Sequence, residues 1–431
     1  MSSGRTEVGL VRAIGRWSLT GLVINGIIGS GIFGLPDDIS RRVGAAAPFA
    51  YLIAALGIGV VMSCFAEVAS RFTEAGGPYL YARSAFGRFA GVQMGWFACL
   101  VRIASAAANA NLFVVYLGTF WPGATERWPR AIVVLALFGF LAAINIRGVK
   151  SGARVSDVLV FAKLVPIAVF VGVGVWAVGP RIGIAGSGAP GGEWLQAVLA
   201  LVFAFGGFEA ALMPLGEARD PRRDAPFALL VGLAVVAIVY VSIQVVFMGA
   251  VTDPAALGRP DVQERPVAEA ARVFMGAFGA SLIAVGVLLS TYGNLAMQFV
   301  GAPRLLFALG EQRDFPAVFA AIHPRWRTPH VSILAHAALS AAFALYGSFI
   351  WNAILSAVAR LGTYGLVCAA VPVLRRRDPD GALYRVPGGW ALPAIGLSFC
   401  AVLVAQMEAA HARIAAVVAV VATTNWLLVR R

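Results

Sequence analysis

A chain of 431 residues that is 60% hydrophobic and only 13% charged, with a mean hydropathy of +0.82, has too little polar side chain to cover a water-soluble globule of its size. Its surroundings are hydrocarbon, so a lipid bilayer is its first partner. The net charge of +13 does not indicate nucleic acid, because the 34 Lys and Arg are scattered between apolar runs and build no basic face with stacking aromatics.

The segment Met1 to Arg16 is polar and basic and carries no short apolar core ending at a cleavage site, so the first span itself is expected to direct insertion. Crossing hydrocarbon takes about 20 apolar residues. Runs of that kind lie near 18–40, 47–70, 89–120, 131–146, 155–179 and 194–217, then near 226–251, 272–307, 331–347, 349–374, 390–409 and 411–429. The expected fold class is therefore an all-α membrane protein of about twelve spans. With the N-terminus inside, alternate segments place 22 of the 34 Lys and Arg on the inner side and nine on the outer. This bias puts both termini in the cytoplasm of a cell (inner) membrane. Cys64, Cys99, Cys368 and Cys400 stand in apolar runs without metal-ligand spacing, so they read as small buried hydrophobes, and no metal or cofactor is expected.

Backbone at membrane depth has no water to pair with, so irregular backbone survives there only against protein or a cavity. Glycines inside spans matter for that reason. The first span holds Gly26-Ile27-Ile28-Gly29-Ser30-Gly31-Ile32-Phe33-Gly34-Leu35-Pro36, and the sixth holds Phe203-Ala204-Phe205-Gly206-Gly207-Phe208-Glu209, followed by Pro214. Matched breaks five spans apart are the pattern of two inverted five-helix repeats with a site at their interface. The division expected is a cytoplasmic N-terminal segment at 1–17, repeats at 18–179 and 194–374, and two added helices in 390–429. Amide groups at the start of a half-helix suit a carboxylate, and carbonyls freed at the end of the preceding half suit an ammonium. A zwitterionic amino acid answers both.

These stretches also resemble a known family. Gly29-Ser30-Gly31-Ile32-Phe33 with Pro36 resembles the first-helix signature of the amino acid–polyamine–organocation (APC) superfamily, whose fold is the LeuT-like inverted repeat. Glu74-Ala75-Gly76-Gly77-Pro78-Tyr79-Leu80-Tyr81 is similar to its loop between helices two and three. Gly206-Gly207-Phe208-Glu209 with Glu217, Pro221 and Arg223 is similar to its sixth helix and exit loop. Arg304 to Ala308, with Pro316, His323-Pro324 and Thr328-Pro329, resembles the loop after helix eight, and Tyr384 to Gly389 the entry to helix eleven. The resemblance implies a substrate site formed by Ile28, Gly29, Ser30, Gly31 and Ile32 with Phe203, Phe205, Gly206, Gly207 and Glu209, and Phe203 as a ring over the substrate. It also implies that Lys163 stands where sodium-coupled relatives hold a cation, with a proton as the coupling partner.

Ionisable groups inside the bilayer are costly and are functional candidates. Burial of Lys163 in the fifth span disfavours its charged form, so it can exchange a proton near working pH; snorkelling to the interface is the bland alternative. Glu209 is the second proton-coupling candidate, or a structural cap on its half-helix. Arg102, near mid-depth of the third span, meets Glu209 or an acidic substrate, or makes a purely structural pair. Asn109, Asn111 and Asn294 are lower-grade polar candidates, whereas Arg360, Glu408 and His336 read as structural. Nothing resembling HExxH, GxSxG or a carboxylate pair at depth supports an enzyme. Paired broken helices argue against a channel. The expected function is proton-coupled symport of an amino acid or related amine by a monomer or homodimer. Exchange, polyamine transport and a transport-inactive sensor are the alternatives.

Overall fold

The computed structural model describes residues 14–72, 77–148, 153–178, 190–212, 218–253 and 256–429, with the side chains of 153–162, 210, 221 and 222 excepted. Glu74, Ala75 and Gly76 of the second motif, Pro214 and Glu217 after the sixth span, and the inner-side charges Arg5, Arg12, Lys150, Arg430 and Arg431 lie outside the described residues. Among the described residues all regular secondary structure is helical, apart from one isolated bridge between Ile14 and Ala218.

The first span is three pieces: α1 (Arg16–Ile27), α2 (Gly31–Gly34) and α3 (Pro36–Val43). Then follow α4 (Ala47–Ala69), a short α5 (Gly77–Phe86), α6 (Arg88–Leu117), α7 (Arg127–Ile146) and α8 (Ala153–Val178). The sixth span is α9 (Gly191–Phe205) and α10 (Phe208–Ala211). Beyond it lie α11 (Pro221–Ala250), α12 (Pro260–Glu264), α13 (Pro266–Glu311), α14 (His330–Tyr346), α15 (Phe349–Arg377), α16 (Ala391–Val404) and α17 (Ala409–Val429). Among the described residues, eight segments are long and apolar enough to cross a bilayer, and four shorter apolar helices, within α8, α9, α14 and α16, occupy the remaining expected stretches.

Local chemistry sets the boundaries. Proline occupies the first turn of α4, α11 and α13, where its missing N–H costs nothing, and Ser348 accepts from the Trp351 amide to cap α15. The eighth span differs from expectation. It starts at Pro266 and bends at Gly276, whose φ of 63° suits glycine. The stretch of α5 also differs, since ten residues with Arg83 and two tyrosines are too short and polar to span and suggest loop.

Burial ranks the helices. In α15 and α6, 83% and 78% of the apolar window is buried inside the protein, against 22% in α7 and 11% in α17. The first pair forms the central columns, and the second pair shows its apolar surface to lipid. Polar groups on α6 and α15 therefore face protein or cavity, where they need partners.

The loops assigned to one side meet at one end of the bundle. At the end assigned as inner, buried Glu67 binds Arg375 at 2.6 and 2.7 Å and accepts from the Val386 amide, and buried Asp314 binds Arg83 at 3.0 Å and Arg88 at 2.7 Å. At the other end Arg42 bridges Asp38 (2.9 Å) and Glu193 (3.1 Å), while Asp37 accepts from the Gly258 amide.

Candidate substrate site

Both expected breaks are present. At the first, α1 stops at Ile27, Ile28 turns extended (ψ 96°), and helical backbone resumes at Gly31 and runs through Leu35 into α3. At the second, α9 stops at Phe205, Gly206 is extended, and Gly207 has a φ of 108°, which favours glycine strongly. The two breaks touch main chain to main chain. A Cβ on Gly26 would stand 3.0 Å from the Gly207 carbonyl oxygen, and one on Gly207 would collide with the Gly26 oxygen. Gly31 likewise lies against Ala204, 2.7 Å from where its own Cβ would be.

Breaking a helix strands carbonyls and amides. At the end of α1 the carbonyls are mostly taken by the protein. Lys163 Nζ donates to the oxygens of Asn25 and Ile28, each at 2.8 Å. The Tyr240 hydroxyl, on α11, stands 3.0 Å from the Ile27 oxygen and 3.1 Å from the Ala204 oxygen, so one side chain bridges the C-terminal ends of α1 and α9. At the second break Glu209 turns back to accept from the Gly207 amide at 2.9 Å. The amides of Ser30, Gly31 and Ile32 have no backbone acceptor among the described residues. The sequence expectation that freed carbonyls of α1 await an ammonium is thus narrowed: three of them already have donors.

A cavity of about 290 Å³ lies between the breaks. Its wall includes Gly29, Ser30, Gly31, Phe203, Gly206, Gly207 and Glu209 of the expected site, together with Arg102, Asn109 and Asn294. Ile28, Ile32 and Phe205 are not on the wall. Ile28 contributes its carbonyl to Lys163, Ile32 is fully buried, and Phe205 packs on Tyr240 at 5.1 Å. Lys163 is buried behind the first break and also off the wall. Phe203 meets Phe349 edge to face at 6.0 Å, and the Phe349 ring also covers Gly34, leaving no room for a Cβ there. Asn111 belongs elsewhere, donating to the Gly347 oxygen and accepting from Arg130 toward the end assigned as outer.

Arg360, expected to be merely structural, stands in the cavity wall. Its Nη1 binds Glu209 Oε1 at 2.5 Å, its Nη2 donates to Ser105 at 3.2 Å, and it lies so close to Gly206 that a Cβ would collide with it. Tyr364 completes the cluster by donating to Glu209 Oε2 at 3.2 Å. Glu209 thus pairs with Arg360, and its charge also acts on Arg102, which lies in the same wall with its guanidinium near Gly301. Tyr240 is absent from the expected site as well, although a hydroxyl in an otherwise apolar run is its signal in the sequence. His336 is buried beside Phe299, and its Nε2 has no partner among the described residues. Glu408 is peripheral and largely exposed.

The cavity reaches Pro78 and Tyr79 of α5, at the end assigned as inner. Tyr79 hydrogen-bonds Asp314, and burial first, then Asp314, pushes its hydroxyl up to about 12.

Two matched helix breaks around one cavity are the setting in which comparison with known proteins becomes informative. Residues 14–427 match the amino acid permease family model. The chain belongs to the amino acid permease family, within the APC superfamily. Among curated relatives, this permease is 25% identical to the branched-chain amino acid permease BcaP of Bacillus subtilis, over 93% of this chain and 89% of that one. It is 29% identical to the serine/threonine exchanger SteT of the same organism, over 77% and 76%. It is 25% identical to the methylthioribose transporter of that organism, over 93% and 89%. The permease is an integral, multi-pass membrane protein.

Proposed function

We propose that this permease is a secondary active transporter that carries an amino acid or related amine across the cell membrane by alternating access, with Lys163 as the proton-coupling group and both termini cytoplasmic. The observation that carries the reading is the double contact of Lys163 with the carbonyls of Asn25 and Ile28. A charged ammonium holds two carbonyls through charge-assisted bonds, and losing its proton weakens both. The proton on Lys163 thereby biases how firmly α1 is held at its break, while cargo occupies the cavity on the other side of the same backbone. The unshared amides of Ser30, Gly31 and Ile32 offer the cargo carboxylate its place. Glu209, bound to Arg360, Tyr364 and the Gly207 amide, acts in this reading as the fastening of the second break. Alternating access follows from rocking the half that contains α1 and α9 against the half that contains α6 and α13.

Reconstitution into liposomes tests the proposal. Uptake of a labelled amino acid should rise with an inward proton gradient, and Lys163→Ala should abolish that dependence in folded protein. A sodium requirement, or a pH response that survives the substitution, overturns the coupling. Transport only against a counter-amino acid on the opposite side would assign exchange.

A further inference from the structure

From Cys99 to Ala110 every residue of α6 is buried except Arg102, which is half-buried and lines the cavity. Its neighbours cover every face of the helix, so α6 shows no side to lipid at this level, and the exposed part of Arg102 opens inward to the cavity. Beside its Nη1 lies Gly301 of α13, another half-buried wall residue, where a Cβ would stand 3.6 Å away; bare backbone bounds the guanidinium there. Among the described residues, the ionisable side chains of the wall are Arg102, Arg360, Glu209 and Tyr79. Tyr79 is neutral at working pH, since its hydroxyl keeps its proton up to about 12. Glu209 pairs with Arg360, and its charge also reaches Arg102. Two guanidiniums, which stay charged, therefore share one carboxylate. Lys163, behind the first break, can only add to the positive excess.

An uncompensated charge enclosed at membrane depth is costly. A cargo with one net negative charge removes that cost, a zwitterion leaves it in place, and a cationic cargo increases it. The planar fork of a guanidinium also matches a carboxylate with two parallel charge-assisted bonds. We infer that the cavity favours amino acids with a side-chain carboxylate over their amides and over cationic amines, and that Arg102 is the specificity-determining residue that holds this carboxylate. The inference rests on the amino acid reading of the cavity and names the substrate class.

Pairs equal in shape and different in charge test it. Affinities of the purified permease for L-glutamate and L-glutamine, and for L-aspartate and L-asparagine, are measured by calorimetry with thermal shift as a second readout and L-lysine as the cationic comparison. Each acid should bind at least roughly tenfold tighter than its amide, with lysine weakest, because only the carboxylate can form the charge-assisted pair. Arg102→Gln should bring the acid-to-amide ratio to about one by weakening the acid, whereas Arg102→Lys, which keeps the charge, should leave the acid ahead. Should Arg102→Gln fail to fold, the wild-type ratios and Arg102→Lys carry the test. Equal binding of acid and amide by the wild type, lysine bound as tightly as glutamate, or a preference lost in Arg102→Lys overturns the selectivity. A ratio that survives Arg102→Gln, or equal weakening of acid and amide by it, does the same. Each of these results leaves the transporter reading standing, while binding of none of the five overturns both.

Discussion

Glu209 and Arg360 show how two charges coexist in a membrane core. Their side chains are only 15% and 7% exposed, and each has neutral hydrogen bonds besides the 2.5 Å contact. Removing one partner strands the other, so Glu209→Ala should lower unfolding stability by about 3–5 kcal/mol. Glu209→Leu with Arg360→Met should cost much less than the two single changes added, as a double-mutant cycle in detergent will measure. Tyr79 gives a prediction in pH. Its hydroxyl titrates near 10 when exposed and near 12 in the folded protein, so the folded state keeps a proton that the unfolded state loses. Stability contributed by Tyr79 is intact below pH 10 and declines as pH rises toward 12. Tyr79→Phe should flatten that alkaline decline in thermal melts.

Among the helices, the breaks were the most legible feature, because a glycine run at mid-span with a later proline is hard to keep as one continuous helix in hydrocarbon. The spans were legible too, from apolar length alone, and the expected boundaries lie within a few residues of α4, α6, α14 and α17. The eighth span was not, since the bend at Gly276 lets Pro266 begin a helix that composition alone starts later. Arg360 escaped because a single charge in a span reads the same whether it pairs across the core or points to the rim; only the fold brings α15 beside α10. Tyr240 was hidden for a related reason. Its role depends on two carbonyls, Ile27 and Ala204, that lie far away along the chain. Tyr240→Phe keeps the ring against Phe205 and removes only the hydroxyl. It should cost about 1–3 kcal/mol by leaving buried carbonyls unpaired, read as a lower melting temperature.

At the scale of the molecule, the cavity reaches α5 at one end and Phe203 at the other, where the Phe203 ring packs on Phe349 and Phe349 in turn covers Gly34. That asymmetry predicts one-sided access. Because Cys64, Cys99, Cys368 and Cys400 are all buried, a cysteine placed at Gln298 should react with a membrane-impermeant thiol reagent only from the α5 face while the protein holds this conformation. Equal labelling from both faces would contradict the closure at Phe349. The contact between Gly26 and Gly207 has a genetic corollary. Each residue leans on the other's peptide oxygen, and a peptide oxygen cannot be trimmed by changing a neighbour. Revertants selected from a strain bearing alanine at either position should therefore restore glycine itself, rather than arise at second sites.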